Sequence, residues 1–179
     1  MIGIIDYGSG NIQAIATIYK NLNVNYKVLS NPQELKKVDK FILPGVGAFD
    51  TTMRQLVNSG LKEELNRLVL EEKVPVLGIC VGLQIMGYGS DEGKQAGLGW
   101  ISGKAKKFDE SKIDTKPKLP HMGWNTIKDI RSHEIFKGID HDFGFYFVHS
   151  FYFECENKKD ILTTSNYGVQ FTSSIYSEH

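Results

Sequence analysis

The sequence predicts an α/β fold: an open, mostly parallel sheet covered by helices on both faces, with antiparallel strands added. Three observations carry this. Apolar runs alternate with helix-periodic segments through the first half of the chain. Glycine-containing turns end three of those apolar runs. The second half turns aromatic and β-branched, with turn signals between its runs.

Taken in order, Ile2–Asp6 reads as a first strand that ends in Tyr7-Gly8-Ser9-Gly10. Asn11 is a natural N-cap for a helix through about Leu22, with Ile12, Ile15, Ala16 and Tyr19 on one face. Tyr26–Leu29 is a short second strand, and Asn31-Pro32 opens a short helical piece. Lys40–Leu43 is the third strand, broken by Pro44-Gly45-Val46-Gly47. Leu61, Leu65, Leu68 and Val69 recur at helical spacing and predict an amphipathic helix over Leu61–Glu72. Val74–Ile79 is the fourth strand, and Leu83–Met86 begins a helix. Beyond it, Trp100–Phe108, Gly123–Ile127, Phe143–Glu154 and Ile161–Ile175 read as strand-rich stretches. Lys104–Lys118 is lysine-rich, contains Pro117 and is expected to be a mobile loop.

At 179 residues the chain fits one domain with a sizeable core. Twenty-one basic and 21 acidic side chains cancel, so no general attraction to nucleic acid or membrane is expected. No apolar run has the length of a membrane span, and Met1–Asp6 reads as a strand, not a leader. Cys80 and Cys155 sit in unlike settings and form no disulfide framework, so a reducing cytoplasm is the expected compartment.

Gly78-Ile79-Cys80-Val81-Gly82, with Gln84 beyond it, is the most informative stretch. A lone cysteine after an apolar strand is ordinarily a small buried hydrophobe. Flanking glycines change that reading, because a buried strand has no need of them. They suit a sharp strand-to-helix turn that presents a nucleophile. A helix start behind it is expected to favour the thiolate. Ligands gather at the carboxyl ends of parallel strands, where this turn and Pro44–Gly47 share a crevice. Amides of Val81 and of the Gly45–Gly47 segment are the expected donors to a developing oxyanion; each such donor is worth roughly 3–4 kcal/mol in acyl-transfer enzymes. An acyl-thioester intermediate is the implied chemistry. Cys155, His133 and His141 read as structural or solvated.

Gly78–Gln84 resembles the nucleophile segment of class I, triad-type glutamine amidotransferases, and Pro44–Gly47 resembles their oxyanion strand. Leu119-Pro-His-Met-Gly-Trp-Asn125, Tyr146-Phe-Val-His-Ser150, Ile5–Asn11 and Gly97–Trp100 narrow the resemblance to the glutaminase subunits of imidazole glycerol phosphate synthases. It spans the chain from residue 1 to 179. It implies a flavodoxin-like sheet with added antiparallel strands, glutamine as substrate, and neither cofactor nor metal. It implies that Cys80 is the nucleophile, that the Val46 and Val81 amides form the oxyanion hole, and that Gly47, Gln84, Glu92 and Ser150 hold glutamine. His121, Met122, Gly123, Trp124 and Asn125 would face a (β/α)8-barrel cyclase subunit in a heterodimer. That partner would receive the ammonia.

The family's triad also needs a His-x-Glu motif after a Gly-Val-Gln-Phe-like strand. Here Gly168–Phe171 is followed by Thr172-Ser-Ser174. Ile161–Ile175 is better matched to the strand pair that precedes the triad strand. The expectation is therefore one domain over 1–179 without its last strand and helix, with little glutaminase activity, an exposed sheet edge and poor solubility. His121 and His149 match positions with other roles, and Glu178-His179 has the wrong order for a triad. Two rival readings remain: a paralogue supplying ammonia for sugar amidation in surface glycans, and a non-catalytic docking subunit.

Overall fold

The computed structural model describes residues 1–178; His179 lies outside them. Four strands pair in parallel: β1 (Ile2–Ile5), β2 (Tyr26–Leu29), β3 (Lys40–Gly45) and β4 (Val76–Cys80), in the order β2-β1-β3-β4. Between them run α1 (Ile12–Asn21), α2 (Pro32–Leu35), α3 (Phe49–Asn58) and α4 (Lys62–Leu70). After β4 comes a single turn, α5 (Val81–Gln84).

Strand alternation sorts the side chains onto two faces. Ile4 and Ile42 pack with Ala16 of α1 on one face. Ile5, Phe41 and Leu43 face the other way, onto Phe49, Met53 and Leu56 of α3 and Leu65, Leu68 and Val69 of α4. Each fully buried side chain of this kind contributes about 1.5–3 kcal/mol. Asn11 caps α1 as expected, its side chain accepting from the Ala14 N–H at 3.2 Å.

A second sheet follows, built from β5 (Gly89–Ser90), β6 (Gly103–Lys107), β8 (Lys128–Asp129), β10 (Phe151–Cys155), β11 (Ile161–Tyr167) and β12 (Val169–Ile175), after β7 (His121–Asn125) and β9 (Phe145–His149) are set aside as a separate antiparallel ribbon. Its order is β5-β6-β10-β12-β11-β8, and only β5–β6 is parallel.

Several expectations change here. Phe49–Asn58 is a helix beyond those expected. Lys104–Lys118 is not a loose loop: its start is paired with β10, and Phe108 and Ile113 are buried against Phe171. Phe143–Glu154 is two strands that part at Ser150 into different sheets, and Ile161–Ile175 is a hairpin turning at Gly168, φ +69°. Within it Thr172 lies opposite Phe153 and Thr164, so Thr172–Ser174 belongs to the antiparallel sheet and not beside β4.

Among the described residues β4 pairs on one side only, with β3. Leu77 and Ile79 stand opposite Ile42 and Pro44 yet are 42% and 39% exposed. They line an open groove of about 860 Å³ that β9, β10 and β12 close from the far side. No helix among the described residues is long and apolar enough to cross a membrane.

Candidate active site

Cys80 ends β4 with φ +56° and ψ −120°, a conformation that a side chain other than glycine rarely adopts. Such backbone costs of order 1–3 kcal/mol and persists only where its surroundings enforce it. Here the enforcement is backbone packed on backbone. A Cβ on Gly82 would lie 1.9 Å from the Leu43 carbonyl oxygen, and one on Gly45 would lie 2.4 Å from the Gly82 nitrogen. A Cβ on Gly78 would meet Leu83 Cα at 2.7 Å. The glycines around the cysteine therefore let α5 sit directly on β3 and β4, which throws the thiol out at the turn.

A cavity of about 310 Å³ opens there. Cys80, Val46, Val81, Gly47, Gln84, Glu92 and Ser150 all line it, so it gathers every residue expected to contact the nucleophile or the substrate. Val148, His149 and Phe151 complete the wall. Gln84 is buried and its Nε2 donates to the Phe151 carbonyl at 3.5 Å. Glu92 accepts from the Phe49 N–H at 2.8 Å, while Asp50 accepts from the Lys94 and Gln95 N–H groups at 3.0 Å. This reciprocal clasp fixes the Glu92 loop on the start of α3. Those two amides hold the Asp50 carboxyl below the usual carboxylate range.

Two expectations about electrostatics are corrected. Although Cys80 as a residue is exposed, the atoms packed around its thiol desolvate it and push it above its ordinary value, and the Val81 N–H aimed at it only partly offsets this. The helix behind it is a four-residue turn, too short to sum a useful dipole. The Val46 N–H does not face the sulfur in this conformation. It donates to Ser9 Oγ at 3.0 Å, and Ser9 Oγ returns a bond to the Val46 carbonyl at 3.1 Å. Tyr7 further pins the loop by donating to the Pro44 carbonyl. Val46 could serve an oxyanion only after that peptide turns over.

The imidazole on the cavity wall is engaged through both ring nitrogens. His149 lines the cavity, but its Nδ1 donates to the Phe151 carbonyl at 2.8 Å. Its Nε2 lone pair then accepts from His121 Nδ1 at 3.0 Å. Burial lowers the pKa of both rings, that of His121 to about 4, so both are neutral at pH 7.

The expected docking segment divides by strand alternation. His121 points inward and is 4% exposed, with Gly123 and Asn125 on its side of the ribbon. Met122 and Trp124 point outward, 60% and 71% exposed. Across the ribbon they meet Val148 and Tyr146, which the sequence reading did not single out for this face. Trp124 and Tyr146 pack edge to face, 5.9 Å between ring centres.

The fold and this cysteine turn define a class of protein. Residues 3–175 match the profile of the family "Glutamine amidotransferase class-I", and the chain belongs to that family. Solved structures agree on the fold. One described as a glutamine amidotransferase superposes with a TM-score of 0.66 at 15% identity, covering 96% of this chain and 88% of its own. A putative GMP synthase protein from Thermoplasma acidophilum gives 0.62 at 16%, covering 96% and 81%.

More particular relatives share a single description, "Imidazole glycerol phosphate synthase subunit HisH". That of Leptospira borgpetersenii is 43% identical over 179 residues, all of this chain and 88% of the relative. That of Bdellovibrio bacteriovorus is 48% identical over 175 residues, 98% of this chain and 86% of the relative.

Proposed function

We propose that this protein is the glutaminase subunit of an imidazole glycerol phosphate synthase, supplying ammonia for histidine biosynthesis. The observation that carries the reading is the forced turn at Cys80, with the Val81 N–H beside its thiol and the other six expected residues on the same small cavity. The names borne by relatives at 43% and 48% identity support the particular pathway.

In this reading the Cys80 thiolate adds to the side-chain amide carbon of glutamine. The amide oxygen takes the negative charge, facing the Val81 N–H and, after its peptide turns, the Val46 N–H. The C–N bond then breaks as the proton given up by the thiol reaches the leaving nitrogen through water, ammonia departs, and a glutamyl thioester remains for water to cleave to glutamate. Glu92 and Gln84 would receive the substrate's ammonium and amide ends, with Ser150 and Gly47 closing over them. Ammonia must stay dry, because in neutral water it becomes ammonium and loses its lone pair. A (β/α)8-barrel synthase subunit docked on the Met122, Trp124, Tyr146 and Val148 plate would receive it and form the heterodimer.

This chain is expected to bind the barrel subunit and to need Cys80 for any ammonia it releases from glutamine. Ammonia release and barrel binding, measured separately, test this. Binding, with release that Cys80→Ala abolishes, supports the reading. Release that survives Cys80→Ala would overturn the role of the cysteine, and no binding to the barrel would overturn the assignment of the partner.

A further inference from the structure

The ribbon's inner face carries a chain of hydrogen bonds whose directions are fixed end to end. The Phe151 carbonyl can only accept, so His149 Nδ1 carries the proton in the 2.8 Å bond. A neutral His149 then offers a bare Nε2, so His121 Nδ1 donates across 3.0 Å. His121 Nε2 is bare in turn and accepts from Asn125 Nδ2 at 3.2 Å. Asn125 Nδ2 also donates to the Asn166 carbonyl at 2.9 Å, and Asn125 Oδ1 accepts from the Thr126 N–H at 2.8 Å, which settles its amide orientation. His121 is clamped in place between the Phe147 and Tyr167 rings, with centres 4.9 Å and 4.2 Å away.

We propose that His121 is a positioning residue for the glutamine cavity: it fixes His149 as the Nδ1–H tautomer, which holds the Phe151 carbonyl where Gln84 reaches it. The inference rests on the glutamine reading above. It adds that the cavity wall Val148–Phe151 is tied to the strand bearing the Met122 and Trp124 plate, although His121 itself does not line the cavity. Without the His121 donor, the Phe151 carbonyl alone biases His149 toward Nδ1–H and the Nε2 lone pair loses its partner, so the tautomer preference weakens and the hold on the Phe151 carbonyl loosens.

The test uses three chains in a Cys80→Ala background, so that bound glutamine is not consumed: otherwise unchanged, His121→Phe and His121→Gln. Phenylalanine keeps the stacked ring and deletes the donor; glutamine restores an N–H donor and a carbonyl acceptor at similar reach. Long-range proton–nitrogen NMR reads the tautomers, and calorimetry reads glutamine affinity. The unchanged chain is expected to show Nδ1–H on both histidines. His121→Phe is expected to mix the His149 tautomers and weaken glutamine about five- to tenfold, the worth of one hydrogen bond. His121→Gln is expected to recover both.

An Nε2–H His149 in the unchanged chain overturns the proposal. So does a His121→Phe chain with unaltered tautomer and affinity. If the unchanged chain binds no glutamine, the glutamine reading falls and takes this role with it. The tautomer spectra, which need no ligand, then show that the failure lies with the substrate and not with the hydrogen-bond order.

Discussion

Gly82→Ala pits two effects of opposite sign against each other. Gly82 lies in helical backbone within α5, so helix propensity alone favours alanine by about 0.8–1 kcal/mol. The added methyl would sit 1.9 Å from the Leu43 carbonyl oxygen, 2.8 Å from its carbon and 3.0 Å from the Pro44 carbonyl carbon. All three are backbone atoms of β3, which no side-chain rotation can relieve. Ordinary contact needs roughly 3.5 Å, so α5 must lift by more than about 1 Å. Overpacking of this kind costs about 1–3 kcal/mol or more and outweighs the propensity gain. For a domain of this size each kcal/mol is about 2–4 °C in Tm. A fall of several degrees is expected by calorimetry. The lift also separates Cys80 from Pro44–Gly47, and a displacement near 1 Å costs about a hundredfold in rate at a reacting centre. Labelling of Cys80 by a chloroketone analogue of glutamine should slow accordingly. An unchanged or raised Tm with unchanged labelling would refute the close approach of β3 to the cysteine turn.

Three further outcomes follow from the same geometry. The Cys80 thiol is raised by burial, so its alkylation rate by a small neutral reagent should still be climbing at pH 9, the ordinary thiol value; a plateau below about pH 8 would contradict the site's electrostatics. His121 and His149 are held neutral, so the unfolded chain binds more protons than the folded one below the ordinary histidine value of 6.5, down to about 4 for His121. Stability is then complete above that window and falls as pH drops through it, each histidine adding at most about 1.4 kcal/mol per pH unit before solvent screening; melting curves from about pH 7 to 4 check this, and a flat Tm would refute it. Trp124→Ala removes the most exposed ring of the outer plate and, on the proposed docking, should weaken binding of a (β/α)8-barrel subunit by about thirtyfold or more in titration calorimetry while leaving the Tm of melting curves unchanged.

Much of this was legible in the residues. β2 was read to the residue, because apolar runs bounded by turn residues are local signals. α3 is hard to see in the sequence although Phe49, Thr52, Met53 and Leu56 keep helical spacing, since the preceding Pro-Gly-Val-Gly break and the paired threonines blunt the pattern. Of the seven cavity residues, Cys80, Val81 and the Val46-Gly47 turn are legible from the two glycine turns, while the roles of Gln84, Glu92 and Ser150 come only from the family resemblance. What was not legible joins segments distant in sequence. Ser9 meets Val46 across 37 residues, and His121 meets His149 across 28. Nor does composition tell that a thiol at a turn is raised by its neighbours. The splitting of Phe143–Glu154 at Ser150 was hidden by unbroken aromatic content, which suits either sheet equally.

The central claim is that Cys80, and not Cys155, meets glutamine's side-chain carbonyl. Intact-mass and peptide mapping after exposure to the chloroketone analogue of glutamine tests it most directly. One adduct on Cys80, blocked by excess glutamine, is the result expected. Adduct on Cys155, or Cys80 labelling that glutamine fails to slow, would contradict it.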